Sequence, residues 1–96
     1  MGTEAPVKPK PADPSGLSGY GEAVHIVVLN DNHNTFEGVA AALSQYLPGV
    51  SYEKGMALAT TIHNNGSARV WSGPREQAEL YWEQLGSAGL TMAPLS

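Results

Sequence analysis

VHIVVLNDNHNTFEGV, residues 24–39, holds a strand, a turn and the start of a helix in one run. Val24 to Leu29 is short, β-branched and nearly continuous in its apolarity, which predicts a strand covered on both faces and central in its sheet. Asn30, Asp31, Asn32 and Asn34 then crowd the next positions with side chains that turn and cap the backbone. Beyond them Phe36, Val39, Ala40, Leu43, Tyr46 and Leu47 recur at helical spacing, the apolar stripe of an amphipathic helix. Asn34, with Glu37 three residues on, predicts a capping-box start for that helix.

Working toward the C-terminus, Pro48 and Gly49 stop the first helix and Ser51 caps a second. In that second helix Tyr52, Met56, Ala59 and His63 share a face with Leu58 and Ile62 beside it, and Asn64-Asn65-Gly66 gives a left-handed ending. Ala68 to Ser72 predicts a second strand. Pro74 fits the first turn of a third helix bearing Ala78, Tyr81, Trp82 and Leu85, with Gly86 and Gly89 as its end. Leu90 to Leu95 predicts a last strand, which Pro94 confines to an edge. The order is βααβαβ, an α/β sandwich of three helices on a small three-stranded sheet.

Toward the N-terminus, Met1 to Glu22 carries Pro6, Pro9, Pro11 and Pro14, then Gly16, Gly19 and Gly21, with almost no bulky apolar side chains. That composition does not offset the entropy of ordering, so residues 1–22 are expected to be a flexible tail and residues 23–96 the folded domain.

Composition excludes several function classes. The chain has 96 residues, room for one small domain rather than a large enclosed active site. It has no cysteine, so disulfides, thiolate nucleophiles and thiolate metal ligands are absent, and a reducing cytoplasmic setting is expected. Five basic against nine acidic residues leave a net charge of −4 with the cations scattered, which disfavours nucleic acid and anionic membranes as partners. No apolar run approaches the roughly 20 residues of a membrane helix. His25, His33 and His63 have no metal-ligand spacing. The alternating Asn30, Asn32 and Asn34 mimic a calcium loop, but the required glycine is missing and Ala41 stands where its closing Glu belongs. No nucleophile elbow or phosphate loop is present, so neither enzyme activity nor a cofactor is expected.

What remains is a polar cluster. Asn30 and Asp31 follow the first strand, and His63, at the end of the second helix, is placed to return to them. A carboxylate, an amide oxygen and an imidazole nitrogen together suit an ammonium group with up to three donors. The same residues equally suit a turn, a cap and an ordinary helix-end histidine.

At these residues the sequence resembles the ClpS family of Clp protease adaptors. The resemblance is carried by VVLNDNHNTFEGV at residues 27–39 and TTIHNNGSARV at residues 60–70, a strand, an NDN turn, a helix and a downstream HxxG in order. LPG at Leu47–Gly49 looks most like the cyanobacterial and plastid members. The resemblance implies an adaptor that binds a substrate's bulky hydrophobic N-terminal residue and delivers the substrate to the N-terminal domain of a ClpA- or ClpC-type unfoldase. It further implies α-amino binding by Asn30, Asp31 and His63, and a side-chain pocket of Leu29, Asn32, Asn34, Phe36, Val39, Ala59, Ile62 and Leu90. Asn32 replaces an Asp of the commoner form, His33 an aromatic residue, and Phe36 and Ala59 two methionines. On the unfoldase side Glu76 matches a family Glu and Tyr81 replaces a Lys. A monomer is expected, in the cytoplasm or, for a processed plastid form, the stroma. The fold also looks similar to the C-terminal domain of ribosomal protein L7/L12, which leaves an alternative: an interaction domain of the same architecture without amine recognition.

Overall fold

The computed structural model describes residues 23–96; the tail expected at residues 1–22 lies outside them. The elements run β1 (Val24–Leu29), α1 (Phe36–Tyr46), α2 (Tyr52–Asn65), β2 (Ser67–Gly73), α3 (Arg75–Ser87) and β3 (Thr91–Met92). The expected βααβαβ order of three helices on a three-stranded sheet is thus what forms.

The sheet is antiparallel in the order β2-β1-β3, so the most apolar strand is central. Its two faces differ, however. Val24, Ile26 and Val28 are buried against the helices while His25, Val27 and Leu29 are half-exposed, so the expectation of cover on both faces is corrected. Helices α2 and α3 lie on the strands and α1 packs against both of those helices; among the described residues no second layer covers the sheet's other face. A bulge lies opposite Ile26 and Val27, where Val70 is the extra residue of β2 and is itself buried. β3 is shorter than the strand expected over Leu90 to Leu95, although the Ala93 amide donates to the Val27 carbonyl at 3.0 Å and carries the pairing one step further.

Helix ends follow local chemistry with two corrections. Thr35, not Asn34, caps α1, its hydroxyl accepting from the Gly38 amide at 2.9 Å. Because Gly38 then occupies the third helical position, no capping box forms, and Glu37 serves only as a first-turn acid at the positive helix end. Pro74 stands at the N-cap of α3 rather than within its first turn, and that helix continues through Gly86 to Ser87. Ser51 does cap α2, accepting from Lys54, and Gly66 ends it at φ +88°.

The buried face of α2 is Gly55, Ala59 and Ile62, whereas Tyr52 is 48 % exposed and His63 points to the surface. The apolar face expected around Tyr52, Met56, Ala59 and His63 is therefore rotated. Gly55 causes the rotation, since it lets the α2 backbone lie directly on Ala40 of α1. Ile26, Leu43, Leu85 and Val28 fill the centre of the core.

Candidate functional site

β1 ends at one mouth of the sandwich, and three constraints gather side chains around that end. The Asn30 amide donates to the Gly66 carbonyl at 2.9 Å, which ties the strand end to the end of α2. Gly66 alone, in its left-handed conformation, turns the chain from α2 into β2, so His63 arrives beside the NDN turn. The N-terminus of α1 then closes the third side.

Between them lies a cavity of about 230 Å³. Val28, Leu29, Val39, Ala59, Ile62 and Leu90 form its apolar walls. Asn30, Asp31, Asn34, Thr35 and His63 form a polar mouth, with Phe36 leaning across it. The Phe36 ring meets the His63 ring edge-on at 5.2 Å between centroids and stays 37 % exposed, so it stands at the rim of the cavity rather than in the core. For scale, an apolar cavity of about 150 Å³ holds a benzene ring. This one therefore has room for a single aromatic or large aliphatic side chain.

Asp31 organises the mouth. Its Oδ1 accepts from the backbone amides of His33 at 3.0 Å and Asn34 at 2.8 Å. Its Oδ2 accepts from Asn34 Nδ2 at 2.7 Å and from the Thr91 hydroxyl at 2.7 Å. Asn34 Nδ2 donates also to the Gly89 carbonyl at 2.9 Å, so its carboxamide is held toward Asp31 and Gly89 while Thr35 caps α1. Burial of the carboxyl would raise its pKa, but hydrogen bonds from the Asn34 side chain and amide, Thr91 and the His33 amide outweigh that and hold it well below the usual carboxylate range. The group is a fixed negative charge at neutral pH, and its four lone-pair directions are already taken.

That distribution changes what each polar residue can do. Among the described residues neither the Asn30 side-chain amide nor the His63 imidazole has a hydrogen-bonding partner, so both are free to accept at the mouth. Asp31 acts on a cation through its charge, aided by the partial negative charge at the C-terminal end of α2. No group of three His, Asp or Glu side chains placed to hold a metal ion occurs among the described residues. Nor is any of their helices long and apolar enough to cross a membrane.

Of the residues singled out in the sequence, Leu29, Asn30, Asp31, Asn34, Phe36, Val39, Ala59, Ile62, His63 and Leu90 surround this one cavity. Asn32, expected among the pocket residues, is exposed and off its lining. Val28 and Thr35 line it without having been singled out; Val28 reads as plain core and Thr35 as one more turn residue. Glu76 and Tyr81 lie apart on α3, Glu76 exposed in its first turn and Tyr81 half-buried, edge-on to Trp71 at 5.0 Å between ring centroids.

The state of Asp31 sets an acid limit on stability. A carboxyl whose folded pKa lies below its unfolded value of about 3.9 stabilises the fold fully above that value, and the contribution is lost as pH falls toward the folded pKa. Urea unfolding midpoints should therefore drop between pH 6 and pH 3, and Asp31→Asn, less stable at pH 6, should lose less over the same interval. Parallel decline of the two proteins would remove Asp31 as the cause.

Comparison with known proteins places the chain among adaptors. The family model of the ATP-dependent Clp protease adaptor protein ClpS matches residues 21–96. The ATP-dependent Clp protease adapter protein ClpS of Thermosynechococcus vestitus is 54 % identical over 70 residues, covering 73 % of this chain and 74 % of its own. That of a Nostoc species is 51 % identical over 70 residues, covering 73 % and 72 %. Among solved structures, Agrobacterium tumefaciens ClpS2 bound to L-phenylalaninamide superposes with a TM-score of 0.66 at 26 % identity, covering 74 % of this chain and 92 % of that one.

Proposed function

Since the chain belongs to the ClpS family of ATP-dependent Clp protease adaptors, we propose that its cavity takes the first residue of a substrate protein, the side chain inside and the free α-amino group at the mouth. One observation carries this reading: an apolar cavity sized for a single side chain opens onto the acceptors of Asn30 and His63, unpartnered among the described residues, beside the fixed charge of Asp31. An α-ammonium group has donors for both acceptors and a charge that Asp31 and the α2 end attract. L-phenylalaninamide, the ligand of the Agrobacterium protein, has that free amine and an aromatic side chain. The protein acts by stoichiometric binding rather than catalysis, and delivers its cargo to a ClpA- or ClpC-type unfoldase through the exposed side of α3 around Glu76. Residues 1–22 serve as a lead into that partner.

Selectivity among first residues follows from Ala59 and Phe36. Ala59 is buried in the α2 wall and leaves depth, while the Phe36 ring narrows the mouth to a slot. A wide, flat slot favours Phe, Tyr, Trp, and Leu, which is unbranched at Cβ, over Ile and Val, whose branch presses on Val39 and the ring. Apolar differences of this kind are worth about 1 to 3 kcal/mol, a preference of roughly tenfold or more. Titrating six peptides that differ only at their first residue against wild type, Phe36→Met and Ala59→Met tests this. Ala59→Met should weaken Trp and Phe most, and Phe36→Met should narrow the gap to Ile and Val. Identical rankings by all three proteins would remove both positions as determinants. Indifference of the wild type to the first residue would favour an interaction domain that binds through a helix face.

A further inference from the structure

The geometry points to Thr91 as a positioning residue for the amine-binding mouth, a role that rests on the reading of the cavity given above. Three of the four hydrogen bonds to the Asp31 carboxylate are local, from His33 and twice from Asn34. A turn held by those three closes on itself and carries no information about where the cavity lies. The fourth comes from the Thr91 hydroxyl, 60 residues along the chain. It and the neighbouring bond from Asn34 to the Gly89 carbonyl fix the turn to the last strand.

Thr91 is placed to join the two halves of the site. In the sheet it pairs with Leu29, the residue before Asn30, so its backbone sets where β1 ends. Its side chain reaches past that end to Asp31. The residue before it, Leu90, is a buried part of the cavity wall. One residue therefore holds the strand end by its backbone, the charged group by its side chain and the apolar wall by its chain neighbour. Gly89, at φ +103°, makes the tight approach from α3 that puts all three in reach.

Replacing the hydroxyl with a methyl group leaves the β-branched shape and the strand pairing, but Asp31 Oδ2 keeps only Asn34 Nδ2. The carboxylate then turns, the NDN turn keeps only the Asn34–Gly89 bond as its side-chain tie to the last segment, and the Asn30 acceptor and the negative charge no longer face the amine together. A hydrogen bond to a charged group is stronger than one between neutral groups, so losing part of it in the bound geometry is a change on the order of tenfold in affinity.

The test compares Thr91→Val, Thr91→Ser and wild type, each titrated with a peptide beginning in Phe and with its Nα-acetylated form. Thr91→Val should bind the free-amine peptide about tenfold more weakly, bind the acetylated one nearly as wild type does, and so lose much of the wild-type ratio; Thr91→Ser should restore it. Thr91→Ala carries the same comparison should the valine variant not fold. An equal loss for both peptides would make Thr91 merely structural and overturn the proposal. Tighter binding of the free amine by Thr91→Val would overturn it as well, because the hydroxyl would then be competing with the amine for Asp31. A wild type that does not distinguish the two peptides would instead defeat the amine reading itself, and the positioning role with it.

Discussion

Acetylating the first residue of a Phe-initiated peptide is expected to weaken its binding to the wild-type protein by about 2 to 5 kcal/mol, the usual cost of losing one partner of a desolvated, hydrogen-bonded charge contact. The acetyl group removes the positive charge and leaves one N–H where there were three. The mouth suits a cation, because Asp31 supplies a fixed negative charge held ionised by four donors, beside the Asn30 and His63 side chains, which have no partner among the described residues. The acetylated amide brings no positive charge for Asp31 to attract. The added bulk also meets Phe36, which already lies against His63. Calorimetric or anisotropy titration of the two peptides measures the difference directly, and equal affinities would mean that the amine is not what the mouth recognises. Asn30→Ala should move the free-amine affinity in the same direction by less, since His63 and the charge of Asp31 remain.

Gly55→Ala is expected to destabilise the fold by about 1 to 3 kcal/mol, against the sign that helix propensity alone would give. In an exposed helix interior this substitution gains up to about 1 kcal/mol. Here a methyl group would stand 2.8 Å from the Ala40 carbonyl oxygen and 2.9 Å from its Cα, both backbone atoms of α1 that have no rotamer to change. The helices must separate. Since α1 supplies Phe36 and Val39 to the cavity and α2 supplies Ala59, Ile62 and His63, the same shift widens the slot between them. Chemical unfolding gives the stability change. Loss of discrimination between Phe and Trp peptides in the folded variant would show the widening, and an unchanged or raised stability would show that the contact relaxes freely.

The elements of this fold are legible wherever the information is local. Period and branching in VHIVVL predict the central strand, and the spacing from Phe36 to Leu47 predicts α1. The Ser51 cap and the Gly66 ending of α2 follow from residue type alone. Misreadings begin where a side chain's partner is remote. Asn34 has the chemistry of an N-cap, but its carboxamide is oriented by bonds from Nδ2 to Asp31 and to the Gly89 carbonyl 55 residues away, and the cap passes to Thr35. Gly55 drew no reading from the sequence, where glycine is only a poor helix former; the tertiary contact with Ala40 makes it the place where two helices touch. The cavity residues were mostly legible through the resemblance rather than through periodicity, since Val39, Ala59, Ile62 and Leu90 are indistinguishable from core by pattern. Asn32 was included with its neighbours because an NDN run gives no sign of which side chains face inward. The saturation of Asp31, which makes it a source of field rather than a free ligand, depends on Thr91 and has no signature near position 31.

The clamp between positions 31 and 91 has a consequence in time. Strand β1, both helices of the cavity wall and the NDN turn all precede Gly66 in the chain, yet the wall at Leu90 and the bond from Thr91 are made by residues near the far end. A growing polypeptide on the ribosome, extended at about 5 to 20 residues per second, exposes its apolar walls and free acceptors before the segment that sets their spacing has been synthesised. Closing a loop of that length carries its entropic cost up front, and the return comes only when the last strand docks. Recognition competence thus arrives in one late step rather than by degrees, so a nascent or truncated adaptor that stops short of Thr91 has the residues of the site without the site.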